Sequence, residues 1–142
     1  MNAVVRRRER IARVRRVEHA QASGAAAVAE AQLESLEQGA ARVLDLRFSL
    51  TAGVGNMLAG TLAAQGELAH RLDVARFGLT DAIAGARAVA KAKAVERVEA
   101  RIRQESAERL AERAALHAEE VAEYRTIART PVRSARGLER EA

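Results

Sequence analysis

The sequence predicts an all-α fold, two long helices folded back on each other as an antiparallel coiled-coil hairpin. Three observations predict it. Alanine, glutamate, arginine and leucine are enriched in the 142 residues, the compositional mark of long helices and coiled coils. Aromatic side chains make up only 2% against 30% charged, too few large, rigid anchors for a thick globular core. The single proline, Pro131, lies near the carboxyl end, so nothing before it forbids continuous helix.

The elements follow in order. A first arm is predicted over about residues 3–50 and would be roughly 70 Å long at about 1.5 Å per residue. A bend is placed at about residues 51–56, Thr51-Ala52-Gly53-Val54-Gly55-Asn56. Its two glycines and asparagine tolerate positive φ and weaken helix. Gly66 and Gly78-Leu79-Thr80-Asp81 are alternative breaks, the latter with Thr80 as the cap of a restarted helix. A second arm over about residues 57–129 would be roughly 110 Å long. Together the arms make one hairpin over residues 1–129. Residues 130–142, with Pro131 and Gly137, are expected to be a disordered tail.

Apolar residues recur at steps of three and four, which line one face of a helix. In the first arm the stripe runs Leu33, Leu36, Ala40, Val43 and Leu50, with Arg47 as its defect. Upstream it continues through Ile11, Val14, Ala22, Ala25 and Val28 with slips at Glu18 and Gln21. In the second arm it takes Leu58, Leu62, Leu68 and Leu72. It then runs through Val95, Val98, Ile102, Ser106, Leu110, Ala114, His117, Val121, Tyr124 and Ile127. The step through Ile102, Ser106 and Leu110 reads as a stutter. Glu–Arg pairs such as Glu99–Arg103 add only tenths of a kcal/mol each. Helices this long therefore need burial against a partner arm. Because the arms are unequal, the second should overhang and leave its stripe around Val121 and Tyr124 as a docking surface.

Catalytic chemistry has little to draw on. No cysteine is present, which removes thiolate nucleophiles and metal ligands. His19, His70 and His117 are widely spaced and read as solvated or seam-edge residues. Gly53-Val54-Gly55 lacks the lysine of a phosphate cradle. Glu119-Glu120 reads as a solvated face. The expectation is a non-enzymatic protein with no cofactor and no metal. The uncharged stretch Phe48–Gly66 carries four glycines and several polar residues, too polar for a membrane span. It reads either as a hairpin tip or as an apolar patch, Phe48, Leu50, Met57, Leu58 and Leu62, for another protein.

The net charge of +5 comes from arginine, only Lys91 and Lys93 being lysines. The sharpest local feature is the cluster Arg6, Arg7, Arg8, Arg10, Arg13, Arg15 and Arg16. Protein docking or a solvated end is the leading reading. Nucleic acid is a second, weakened by the absence of interleaved aromatics. A targeting segment or a membrane-surface helix is a third. Glu9 and Glu18 speak against a removable targeting peptide.

The layout resembles FliJ, a flagellar type III export protein family, and the YscO-like stalk proteins of virulence secretion. The residues that carry the resemblance are the bend Ala52–Asn56, the Leu-rich restart from Met57-Leu58 to Leu72, and the charged segment Ala118–Tyr124 followed by Arg125 and Arg129. The chain departs from the family's pattern in having fewer aromatic and glutamine residues after the bend and less lysine near its end. The resemblance implies a cytoplasmic coiled-coil stalk or chaperone, peripheral at the inner-membrane export apparatus, that couples the hexameric export ATPase to the export gate. On it, partner contacts are expected at Arg6, Arg7, Arg8, Arg10 and Arg13, at Leu58, Leu62, Leu68 and Leu72, and at Val121 and Tyr124. The export ATPase ring, the gate and substrate chaperones are the implied partners.

Overall fold

A computed structural model describes residues 2–52 and 58–130. It contains helix α1, Ala3–Ala52, and helix α2, Ala59–Arg129, with no strand among the described residues. Part of the expected bend and nearly all of the expected tail lie outside the described residues. Helix α1 begins with a side-chain cap: Val4 N donates to Asn2 Oδ1 at 3.1 Å, satisfying one of the amides that a helix start leaves unpaired. At its other end the Ser49 hydroxyl donates to the Asp45 and Leu46 carbonyls and Thr51 to Phe48. Helix α2 stops at Arg129, one residue before the Thr130-Pro131 pair. A residue preceding proline is pushed away from helical backbone.

Helix α2 passes without a break through Gly66 and Gly78–Asp81. Thr80 is therefore not a cap. Its hydroxyl donates back to the Arg76 carbonyl at 3.0 Å, the way threonine satisfies itself inside a helix.

The chain forms two compact units, Met1–Val17 with Ile102–Ala142, and Glu18–Arg101. In each, a segment of α1 runs antiparallel to a segment of α2. In the second unit Glu37 pairs with Arg87 at 3.0 Å and Arg47 with Asp73 at 3.2 Å. Advancing along α1 thus retreats along α2. In the first unit Arg16 pairs with Glu108 at 2.6 Å, while the earlier Val5 lines a groove with the later Ala118 and Val121.

The covered side chains recur at heptad spacing. In the second unit, α1 contributes His19, Ala26, Leu33, Ala40 and Arg47 at one position, and Ala22, Ala29, Leu36, Val43 and Leu50 at the other. From α2 come Gln65, Leu72, Leu79, Ala86, Lys93 and Ala100, with Ala69, Ile83 and Ala90. In the first unit Val5 and Ala12 meet the α2 set Gln104, Ala107, Ala111, Ala114, Ala118 and Val121.

This seam differs from the expected one. Apart from Val5, the buried residues among those described are alanines: Ala12, Ala26, Ala29, Ala90, Ala100 and Ala107. Ile11, Val14, Val28, Val95, Val98, Ile102, Leu110, Tyr124 and Ile127 are exposed. The covered stripe of α2 steps evenly through Ala100, Gln104, Ala107 and Ala111, without the stutter expected at Ser106. Alanines hold the buried positions and these larger aliphatics face outward. Arg47, expected as a defect, does sit at a seam position. It is half-buried and its Nε donates to Asp73 Oδ1.

Candidate docking surfaces

In the first unit, Arg6, Arg7, Arg8, Arg10 and Arg13 are exposed. None of the five has an ion-pair partner among the described residues. Arg6, Arg10 and Arg13 fall at helical steps of four and three, so they share a face; Arg7 and Arg8 point elsewhere. Arg15 is half-buried. Arg16 is committed to Glu108, which also accepts from Gln104 Nε2 at 3.1 Å. These two hydrogen bonds, Arg16 first and Gln104 second, hold the Glu108 carboxyl below its usual value of 4.5, against a small opposing effect of desolvation.

The overhang of α2 is shorter than expected. Val121 is half-buried and shares an open groove of about 750 Å³ with Val5, Glu9, Ala118 and Arg125. The start of α1 therefore reaches Val121, which is half-covered within the unit. Tyr124 and Ile127 lie beyond the last covered position and are 73% and 69% exposed.

In the second unit, Leu58 is 83% exposed, and Leu62 and Leu68 are exposed at about half of their surface. Leu62 borders a shallow groove with Leu50, Thr51 and Gly66. Leu72 differs from the other three because it occupies a seam position and is half-buried. Of the four expected docking leucines, three are exposed and Leu72 is shared with the seam. Leu46 and Phe48 on α1 are exposed in the same unit.

No arrangement for catalysis emerges from the described residues. His19 lies 3.3 Å from the Ser23 hydroxyl one turn on, and His117 lies 3.8 Å from Glu120. Among the described residues no group of three His, Cys, Asp or Glu side chains could hold a metal ion. None of their helices is long and apolar enough to cross a membrane.

Sequence reasoning missed the outward-facing aliphatics, having placed Val95, Val98 and Ile102 in the seam. The signal that would have found the seam is the alanine heptad itself, Ala100, Ala107 and Ala114 with Ala111 and Ala118. No family model, curated protein or solved structure matches the chain.

Proposed function

We propose that the chain is a non-catalytic docking protein of a type III protein export apparatus, a FliJ-like stalk or chaperone that couples the export ATPase to the gate. The observation that carries this reading is the chemistry left outward by the seam. The first unit offers five arginines without ion-pair partners among the described residues, together with exposed Tyr124 and Ile127. The second offers exposed Leu58, Leu62 and Leu68. A basic surface suits an acidic ring lumen, and electrostatic attraction would speed its capture. An apolar surface suits a gate or a substrate chaperone. The place of action on this reading is cytoplasmic and peripheral to the inner membrane, with roles in flagellum assembly and motility. The test is co-purification of the chain with an export ATPase, read together with the ATPase rate. Arg6→Glu with Arg10→Glu should weaken ATPase binding, and Leu58→Ala with Leu62→Ala should lower secretion while sparing it. Undiminished secretion in the leucine variant would sink the gate assignment.

A second reading, nucleic-acid binding, draws on the same five exposed arginines. Phosphate contacts make affinity fall steeply with salt. Retention on DNA or RNA that weakens with salt, and is lost in the arginine variant, would favour it over export.

A further inference from the structure

We propose that α2 of the second unit carries a second, outward seam that pairs antiparallel with the same segment of another copy of this chain. Two residues beyond each seam position Leu72, Leu79, Ala86 and Lys93 stand Val74, Asp81, Ala88 and Val95. At about 100° per residue, two residues carry a side chain roughly 200° round the helix. This row, with Phe77 and Val98 three residues after its ends, is on the side away from α1. Val74, Phe77, Val95 and Val98 are between 52 and 76% exposed.

Outward in both directions from Ala86 the row passes a small residue, a charged one and two large apolar ones, the charges being of opposite sign. Across a two-fold axis at that level, Ala84 would face Ala88 of the second copy. Asp81 would then face Lys91, Phe77 would face Val95, and Val74 would face Val98. Small residues thus meet small ones at the centre and large apolar ones meet at both ends. The two charged positions meet with opposite signs, and the two-fold makes that pair twice. Neither Asp81 nor Lys91 has an ion-pair partner among the described residues, so both are available.

The alternatives are worse. A shift of one heptad sets Asp81 against Val98 or Lys91 against Val74, leaving a charge on apolar surface. A parallel pair sets Asp81 on Asp81 and Lys91 on Lys91. Gly78 and Gly85, one heptad apart, flank the row, and a Cβ at either would meet nothing within 4 Å in its own chain. The same holds for every described glycine, so Gly78 and Gly85 leave the flank of the row open without singling it out.

The experiment is sedimentation of the purified full chain over a dilution series, with no export component present, so its outcome is independent of the proposed function. The expected mass rises from 15.3 kDa toward twice that value with concentration. Asp81→Lys or Lys91→Asp alone should raise the dissociation constant by about tenfold or more through like-charge contacts. The combined D81K/K91D chain should associate like the wild type. Val95→Glu should abolish association without lowering helicity by circular dichroism, because Val95 lies outside the intramolecular seam. A monomer at every concentration would overturn the proposal. So would a dimer indifferent to Asp81→Lys, or a double variant no better than the singles.

Discussion

Both units bury alanine, Ala26, Ala29, Ala90 and Ala100 in one and Ala12 and Ala107 in the other, but they differ in what accompanies it. Leu33, Leu36, Leu50, Leu72, Leu79 and Ile83 are half-buried at seam positions of the Glu18–Arg101 unit. Among the described residues the other unit has no leucine or isoleucine at its covered positions; Ala12, Ala107, Ala111, Ala114 and Ala118 fill them together with Gln104, with Val5 and Val121 at the end. An alanine methyl removed from water contributes about 0.8 kcal/mol, a fully buried leucine about 1.5–3. The alanine unit is therefore expected to gain less per layer from burial. Helices held by the smaller term open locally at lower free energy. The comparison teaches that covered positions of the same spacing can be filled with different side chains, from which different local stabilities are expected.

The strongest way to break the comparison is to put a leucine where the alanine unit has no room. Ala12 is 4% exposed. Ala12→Leu should cost about 2–3 kcal/mol through overpacking. Amide hydrogen exchange would read the loss along residues 3–17 and 102–129, with protection around Leu33 and Leu79 retained. Unchanged protection in the alanine unit would mean that its helices are not in close contact in solution.

The reverse change sharpens the comparison from the other side. Leu79→Ala removes a half-buried leucine from the larger seam. Fully buried leucines cost about 2–5 kcal/mol on truncation, so about 1–2 kcal/mol is expected at half burial. A drop in thermal midpoint should accompany it, with faster exchange centred on residues near Leu79 and its α1 partners. A negligible effect would mean that the leucines add little beyond the alanines between them.

How much of this was legible depended on which rule each residue obeyed. The two helices and their approximate ends follow from helix-favouring side chains and the lone Pro131, signals that act locally along the chain. Helix α1 ends at Ala52 and α2 starts at Ala59, while Gly53, Gly55 and Asn56, on which the expected bend rests, lie outside the described residues. The buried face was misread because size was taken as the mark of burial. Val95, Val98 and Ile102 have the right spacing for a stripe and the larger side chains. Their neighbours Ala100 and Ala107 are buried in their place. The docking set changed for the same reason. Leu72 and Val121 share their chemistry with Leu62 and Tyr124, and only the antiparallel register decides which of them is covered.

The smallest expected effect concerns the ion pair that accompanies the alanine seam. Glu108 is held below its ordinary carboxylate value first by the Arg16 hydrogen bond and then by Gln104. A depressed acid stabilises the folded state at pH values above its unfolded range. That contribution disappears as pH falls through the lowered folded value. The pair is substantially exposed, its side chains retaining 60 and 34% of their accessible surface, so solvent screening keeps the effect modest. The thermal midpoint of Glu108→Gln should therefore lie slightly below that of the wild type near neutrality. The two curves should converge in acid as the wild-type carboxylate protonates. Exchange in residues 3–17 should follow the same trend, because Arg16 is the α1 partner of that carboxylate. Curves parallel at every pH would mean that Arg16 does not hold Glu108 in solution, leaving the alanine unit to packing alone.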